Sequence, residues 1–424
     1  MAQPAGETVD AVDQPLDFLS VALTPEFREN PYQFFELLRE HDPVHQTPFG
    51  VYLLSRHADA TTIVRDPHLS TNQQNSDLFR AFAEANPPTG DTAMDQDLMN
   101  NVVMLFMDPP DHTRLRSLVS KAFTPKMIER LRARVQDIVD GRLDAVAARG
   151  DGRMDVVSDL AYPLPVVIIC ELLGVPPEDQ ATFQSWSSEL AASIDPDPLI
   201  TPEQRERIDA AGNAFLEYFA DLIARRRRAL RDDLLSALIE AEEGGDRLSE
   251  EELLGTALFL LVAGHETTVN LIGNGTLALL QQRDQLERLR DDPSLDRNAV
   301  EELLRFDSPV QLTQRITLDD YDVGGVTIPK GQNLIPLLGA ANRDPAEFDE
   351  PDRLDLGRDN ANRNVAFGGG HHFCLGASLA RLEGAVAIGT LVRRFPDIEL
   401  AGEPERRTTF TLRGLEHLPV TISE

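Results

Sequence analysis

The spacing of apolar residues predicts a mainly helical chain with a few short strands. Asn30 and Pro31 are typical of a helix start, and the apolar positions after them recur at helical intervals. Residues 126–250 alternate helical runs with proline breaks. Residues 51–54 form a short β-prone run, and residues 321–328 alternate around Gly-Gly as a β-hairpin does. The predicted fold class is therefore mainly α with small β sheets.

The longest predicted helix begins after Ser249. Ser249 and Glu252 have the spacing of a capping box, and the helical pattern continues to about Gln282. At 1.5 Å per residue this helix would span roughly 50 Å. A helix of that length can cross a whole domain.

The middle of this helix changes abruptly from apolar to polar. Residues 258–263 are apolar, and residues 264–268 read Gly-His-Glu-Thr-Thr. Polar side chains in such surroundings cost free energy unless they are paired, so they indicate a function. The Thr267 hydroxyl can donate to the Ala263 carbonyl, which would open a groove with room for water and dioxygen. The alternative is an ordinary helix kink.

A glycine-rich loop, residues 367–376, contains Cys374 and leads into a helical run at residues 375–391. Glycine permits tight turns and close approach of a flat ligand. Amides at a helix start stabilise a thiolate, so we expect the pKa of Cys374 to be lowered. The adjacent histidines lack the usual zinc-ligand spacing, and a lone thiolate suits an iron porphyrin better. The alternative is a loop with a core cysteine.

A further cationic pair lies at the start of the helix predicted from Asp108. His112 and Arg116 are four residues apart and therefore share one helix face. Two such donors can hold a carboxylate, although such a pair taken alone is more often a solvated helix face.

Composition restricts the class of protein. The chain has 424 residues, with 71 Asp and Glu against 40 Lys and Arg, a net charge of −31. This charge opposes binding to nucleic acids and to anionic membranes. Residues 1–17 lack an export signal, and residues 257–263, the longest apolar run, are too short to span a bilayer. Of two cysteines, Cys170 is expected in the core, and we expect a cytoplasmic protein.

The motifs together resemble those of the cytochromes P-450, of the soluble bacterial type. Ala263-Gly264-x-Glu266-Thr267-Thr268 is similar to the acid–alcohol motif of that family. The resemblance extends from about residue 25 to about residue 420. The haem-loop pattern of the family is matched at Phe367, Gly368, Gly370, His372, Cys374 and Gly376.

The resemblance implies the cytochrome P-450 fold, with haem b between the long helix and the cysteine loop. Residues 25–424 would form a single domain after a flexible N-terminal lead, residues 1–24. Residues 70–101 and 178–230 would supply the substrate loop and the lid. Cys374 would be the iron ligand, Glu266 and Thr267 would deliver protons to the dioxygen that is reduced, and the haem propionates would contact His112, Arg116, Arg315 and His372.

The resemblance also implies a structural ion-pair network. Glu302 and Arg305, on a helix for which Asn298 is the expected N-cap, would be joined by Arg353 from a later loop.

The implied activity is insertion of one oxygen atom from O2 into a mostly apolar organic substrate, by hydroxylation or epoxidation. Electrons would come from NAD(P)H through a separate ferredoxin and its reductase. A composition typical of bacterial enzymes suggests a role in secondary metabolism or xenobiotic breakdown. The alternatives are a peroxide-driven or non-oxygenating haem-thiolate enzyme, a haem-based ligand sensor and a haem-free binding protein.

Overall fold

Helices form most of the structure, as predicted. The computed structural model describes residues 21–22, 24–85, 102–195, 200–243 and 246–423. Its helices include α1 Pro25–Glu29, α2 Tyr32–His41, α3 His57–Arg65, α4 Asp77–Ala85, α5 Asp111–Ala122, α6 Pro125–Arg130, α7 Arg132–Arg149, α8 Pro163–Leu172, α9 Gln180–Ala191, α10 Pro202–Arg228, α11 Leu234–Glu240, α12 Glu250–Gln281, α13 Arg283–Asp291, α14 Asp296–Phe306, α15 Leu338–Ala341 and α16 Ala377–Arg394.

The strands are short and form small sheets. The largest sheet has five strands in the order β1-β2-β10-β7-β3, and β8 pairs with β9 as the predicted hairpin. The strands are β1 Val44–Gln46, β2 Tyr52–Leu54, β3 Leu69–Ser70, β4 Arg153–Asp155, β5 Glu242–Glu243, β6 Asp246–Arg247, β7 Arg315–Thr317, β8 Tyr321–Val323, β9 Val326–Ile328, β10 Asn333–Pro336, β11 Glu399–Leu400, β12 Glu405–Arg406, β13 Leu415–His417 and β14 Pro419–Thr421.

Helix α12 is the centre of the fold. Its 32 residues begin at the predicted capping box, in which Ser249 accepts from the Glu252 amide and the Glu252 side chain accepts from the Ser249 amide. Helices α8, α9, α10, α14 and α16 all pack against it. The helix is apolar on most sides because it is surrounded by other helices. No helix of the described ranges is long and apolar enough to cross a bilayer.

The predicted segments are described to different extents. Of the lead, only residues 21, 22 and 24 lie within the described part of the chain. The predicted substrate loop is described up to residue 85, where α4 ends, and residues 86–101 lie outside the described ranges. The predicted lid consists mainly of α9 and α10, which pack through the aromatic cluster of Phe183, Trp186, Phe215, Tyr218 and Phe219.

The expected ion-pair network exists, but its third member is Arg358. Glu302 and Arg305 are both fully buried, with Arg305 Nε 2.7 Å from Glu302 Oε2. Arg358 Nε lies 3.1 Å from both oxygens of Glu302. The prediction of Arg353 was wrong, because its side chain points outward to exposed Glu350 and only its carbonyl joins the network.

Two helix starts also differ from the prediction. Helix α14 begins at Asp296, so Asn298 is not its N-cap, and the Asn298 amide instead donates to the Leu356 carbonyl. Helix α2 begins at Tyr32, one residue later than expected, and the Asn30 side chain accepts from the Tyr32 amide.

A buried carboxyl group lies at the contact between α12 and α16. Glu383 is 1% exposed, and no hydrogen bond of normal geometry reaches either of its carboxyl oxygens among the described residues. Burial raises the pKa of Glu383 to about 8, although the nearby Thr268 hydroxyl opposes the shift. Glu383 is therefore largely neutral at neutral pH.

Replacement of Arg358 by Ala should destabilise the protein by about 2 to 4 kcal/mol, because it removes one cation from a buried carboxylate. Thermal denaturation of Arg358→Ala measures the effect. The matched control is Arg353→Ala, which should change stability by less than about 0.5 kcal/mol because an exposed ion pair contributes little. Equal effects of the two substitutions would contradict the assignment of Arg358.

The stability of the Glu383→Gln variant relative to the wild type should increase with pH. The folded-state pKa of about 8 exceeds the ordinary value of 4.5, so the folded wild type holds this proton more tightly than the unfolded chain does. As the pH rises from 4.5 to 8, the wild type therefore loses about 1.4 kcal/mol of folding free energy per pH unit through this group. Glutamine does not titrate, so the variant does not show this loss. Denaturation at pH 5.5 and pH 8 tests this, with exposed Glu399→Gln as control. An equal difference at both pH values would refute it.

Candidate functional site

The glycine-rich loop holds Cys374 between α3 and the start of α16. The Cys374 amide donates to the Phe367 carbonyl over 3.0 Å, which closes the loop. Gly368 and Gly370 both have φ of +64°, a conformation that other residues rarely adopt. A Cβ on Gly370 would lie 2.9 Å from the Val64 carbonyl, so the loop packs directly on the end of α3. Glycine is thus required both for the turn and for this contact.

The pKa of Cys374 differs from the expectation. Burial raises the pKa of the thiol and outweighs the amides of Gly376 and Ala377 and the guanidinium of Arg116, which all lower it. The prediction that the pKa of Cys374 is lowered was therefore wrong for the protein without a bound cofactor. The helix-start amides of Gly376 and Ala377 are nevertheless present, and together with a metal cation beside the sulfur they would favour the thiolate.

Four of the predicted residues lie in one cluster beside this loop. The His112 and His372 rings are 4.2 Å apart between centroids, and Arg116 donates to the Phe373 carbonyl. Arg315 extends from β7 and donates to the Val64 carbonyl, at the same end of α3 that contacts the loop. Helix α5, strand β7 and the cysteine loop therefore bring together residues that lie up to 260 positions apart, His112 and His372.

The cluster is rich in buried donors without partners. Among the described residues, both ring nitrogens of His112, Nε2 of His371 and Nε of Arg315 have no hydrogen-bond partner. Burial lowers the pKa of His112 to about 4 and that of Arg315 to about 10. Buried donors of this kind are usually satisfied, so their convergence indicates an anionic ligand. Two carboxylates such as the haem propionates fit this donor set.

Two residues of the cluster were not predicted. His371 occupies a position that the haem-loop pattern leaves open, and its ring lies 5.2 Å from that of His112. Thr71 Oγ1 lies 3.1 Å from His372 Nε2 and also donates to the Met107 carbonyl. The Asp108 carboxylate accepts from the Thr71 amide at 2.8 Å. The doubled histidine could have been noticed in the sequence, whereas Thr71 belongs to no motif.

On α12, the Thr267 hydroxyl donates to the Ala263 carbonyl over 3.0 Å, as predicted. Phe259, Ala263, Gly264 and Thr267 are half-buried and share one helix face, in a stretch where the neighbouring residues are buried. This face is therefore the part of the helix at which a ligand could be contacted.

The Glu266 side chain points about 100° around the axis of α12 from that of its neighbour Thr267. Its carboxylate pairs with Arg407, and its Oε1 is 3.2 Å from His265 Nε2. Within the described ranges no hydrogen bond joins Glu266 to Thr267. Burial raises the pKa of Glu266, but His265 and Arg407 outweigh it, so the pKa lies below the ordinary value. Glu266 is therefore ionised, and no sequence motif indicated Arg407 as its partner.

Comparisons with known proteins identify the family of the chain. Residues 25–415 match the family model described as Cytochrome P450. The chain is 46% identical to vitamin D(3) 25-hydroxylase of Pseudonocardia autotrophica over 93% of this chain and 94% of that protein. It is 40% identical to 6-deoxyerythronolide B hydroxylase of Saccharopolyspora erythraea, over 93% and 97% of the two chains.

The crystal structure of Mycobacterium smegmatis CYP164A2 with econazole bound superposes with a TM-score of 0.87, at 40% identity over 95% of this chain and 99% of the other. The sequence matches and this shared fold both cover nearly the whole chain. The chain therefore belongs to the cytochrome P450 family and is a haem-thiolate monooxygenase of organic substrates that depends on a redox partner.

Proposed function

We propose that Cys374 is the iron ligand of haem b in this monooxygenase, and that His112, Arg116, Arg315 and His372 hold the haem propionates. The proposal rests on one observation. Buried donor atoms of His112, His371 and Arg315, which lack partners among the described residues, converge beside Cys374 in the glycine-rich loop. The other cysteine, Cys170, is fully buried, and burial raises its pKa strongly, as expected of a core residue.

Each donor would have a distinct task. His112 and Arg315 are buried, so their hydrogen bonds to carboxylates would be strong and would compensate for desolvation. Arg116 reaches the cysteine loop and lowers the pKa of the Cys374 thiol, so it would stabilise the thiolate as well as a propionate. When bound, the haem iron activates O2, and the thiolate donates electron density that favours cleavage of the O–O bond.

Thr267 and Glu266 would supply protons. The Thr267 hydroxyl lies on the accessible face of α12, and its one O–H would turn from the Ala263 carbonyl to donate to dioxygen. Glu266 is buried and ionised, so it would take up protons from water and pass them on. This pair also supports use of O2 rather than peroxide, since peroxide-driven enzymes need no such proton delivery.

The proposed substrate is a large, mostly apolar organic molecule of secondary metabolism. Two relatives are named as hydroxylases of vitamin D(3) and of 6-deoxyerythronolide B. The accessible face of α12 is apolar at Phe259 and Ala263, and the proposed lid, α9 and α10, packs through aromatic side chains. Residues 25–424 would act as one domain in the cytoplasm, with a ferredoxin and its NAD(P)H-dependent reductase as the electron donors.

The carbon monoxide complex tests the ligand assignment. The reduced wild-type protein should show the strongly red-shifted Soret band of a haem-thiolate, and Cys374→Ser should lose that band. The matched control, Cys170→Ala, should retain the band because Cys170 is a core residue of α8 and not part of the cysteine loop. Absence of the band in the wild type, or its loss in Cys170→Ala alone, would disprove the assignment.

Replacement of Thr267 by Ala should release more O2 as hydrogen peroxide, because protons no longer reach the oxygen that must leave as water. We expect at least about a tenfold fall in product formed per NADPH, within the range that general acid catalysis contributes. Peroxide and NADPH are measured together, with Thr268→Val as the adjacent control. Wild-type coupling in Thr267→Ala would contradict the assigned role.

A further inference from the structure

Besides Arg116, a second arginine lies against the cysteine loop. Arg381 is in the second turn of α16, seven residues after Cys374, and the haem-loop pattern does not include it. Its guanidinium carbon lies 4.5 Å from the centre of the Phe367 ring. A guanidinium at this distance over an aromatic ring is attracted by the electrons of the ring face. Arg381 is therefore held beside the first residue of the loop.

Phe367 also fixes the backbone of the cysteine. Its carbonyl accepts from the Cys374 amide over 3.0 Å, so the aromatic ring and the cysteine belong to one hydrogen-bonded turn. Arg116 contacts the same turn, because it donates to the Phe373 carbonyl. Two guanidinium groups, those of Arg116 and Arg381, thus contact the turn that carries Cys374.

The positive charge of Arg381 acts on the sulfur of Cys374. Burial raises the pKa of the Cys374 thiol, whereas backbone amides and the guanidiniums of Arg116 and Arg381 oppose that rise. Charges in a partly desolvated place interact over several ångströms, because water and salt screen them less there. Arg381 therefore stabilises negative charge on the sulfur.

A carboxylate of α14 partly offsets this charge. Glu301 accepts from Arg381 Nε and, over 3.3 Å, from Arg381 Nη2, so the pair is bidentate. The Asn364 amide donates to Glu301 Oε2 over 3.0 Å and so helps to orient the carboxylate. Of the two charges, that of Arg381 lies against the cysteine turn. The net effect on Cys374 is therefore the difference between a nearer cation and its partner anion.

The next carboxylate of α14 has different partners. Glu302 pairs with Arg305 and Arg358 in the buried ion-pair network. Glu301, one residue earlier, pairs with α16 instead and is 14% exposed in its side chain. Two successive carboxylates thus stabilise the core network and the surroundings of the cysteine turn separately. Glu301 can therefore be replaced without removing a member of the buried network.

We propose that Arg381 and Glu301 are positioning residues that set the reduction potential of the haem iron: Arg381 favours the reduced state through its charge beside the cysteine turn, and Glu301 limits that effect. The inference rests on the proposed ligation of iron by Cys374 and goes beyond it. Reduction from the ferric to the ferrous state adds one electron from the redox partner. A nearby cation therefore favours reduction, and a nearby anion opposes it.

The pair would balance two requirements of the thiolate. Positive charge beside the sulfur makes the site easier to reduce. The same charge withdraws electron density, which the thiolate must donate for cleavage of the O–O bond. An arginine whose charge is partly compensated by Glu301 allows the first without abolishing the second.

The experiment measures the midpoint reduction potential of the haem-loaded protein by spectroelectrochemical titration, which needs neither substrate nor turnover. Arg381→Gln should shift the equilibrium toward the ferric state by about threefold or more, within the range that a partly exposed charge contributes. For a one-electron couple, in which a tenfold change corresponds to about 59 mV, the potential should fall by at least about 30 mV. Arg381→Lys, which keeps the charge, should recover at least half of this shift.

Glu301→Gln should change the potential in the opposite direction. It removes the compensating anion and leaves the Arg381 cation, so the potential should rise by about 30 mV, again a threefold shift of the equilibrium. A purely structural role would give the same sign for both partners, because each substitution breaks the same contact. In the double variant Arg381→Gln with Glu301→Gln, the two shifts should largely cancel.

Arg393→Gln is the matched control. Arg393 is also on α16 and pairs bidentately with Asp296 of α14, at 3.0 and 2.9 Å, with its side chain 30% exposed against 36% for Arg381. It lies about 18 Å farther along the helix, where salt screens its charge from the cysteine turn. Arg393→Gln should therefore break the same type of helix contact and leave the potential unchanged.

Three results would overturn the proposal. They are an unchanged potential in Arg381→Gln, shifts of the same sign in Arg381→Gln and Glu301→Gln, and an equal shift in Arg393→Gln. If Arg381→Gln does not form the haem-thiolate band with carbon monoxide, Glu301→Gln decides alone, and a potential that does not rise overturns the proposal.

The carbon monoxide spectrum separates this inference from the proposed function. A wild type without the haem-thiolate band would refute ligation by Cys374 and the inference with it. A normal band in the wild type and the variants, with potentials that do not follow the charges, would refute only the role of Arg381 and Glu301.

Discussion

The burial of charge inside a helical core is the constraint on which this structure depends. Helix α12 is surrounded by other helices, so a polar group on it costs free energy unless the protein or a ligand pairs with it. Outside α12, the buried network of Glu302, Arg305 and Arg358 is completely paired in its carboxylate and guanidinium groups. It joins α14 to the segment that precedes the cysteine loop.

In the cluster around Cys374, by contrast, several buried polar atoms lack a partner within the described protein. Polar atoms of His112, of half-buried His371 and of Arg315 are buried, and no described residue pairs with them. Paired charges therefore characterise the ion-pair network, whereas unpaired donors converge beside Cys374. The second group, which we propose as the propionate site, would be completed by an anionic cofactor.

The buried charge of Glu266 is compensated in a third way. It is paired, but with an arginine that also borders a cavity and contacts an exposed carboxylate. The guanidinium also has a second acceptor on the solvent side, the Glu416 carboxylate. Thr267, the next residue of α12, instead makes a local bond to the Ala263 carbonyl. Adjacent residues thus differ in environment because successive side chains on a helix point in different directions.

Much of the site could be predicted from local pattern. The capping box of α12, the bond from Thr267 to Ala263 and the shared face of His112 and Arg116 follow from spacing along one helix. The cysteine pKa could not be predicted, because burial is a property of the packed structure and it outweighed the nearby amides. The choice of Arg358 over Arg353 was missed for a related reason: the direction of a side chain on an irregular turn is not encoded in its spacing.

The sequence by itself determined the helical class, the cysteine loop and the residues that resemble a haem site, because these depend on interactions between near neighbours in the chain. Only the tertiary structure decided which distant groups meet: Arg407 with Glu266, Thr71 with His372 and Arg358 with Glu302. Such pairs depend on how helices and loops pack, and the free energy of burying a charge becomes defined only when its surroundings are complete.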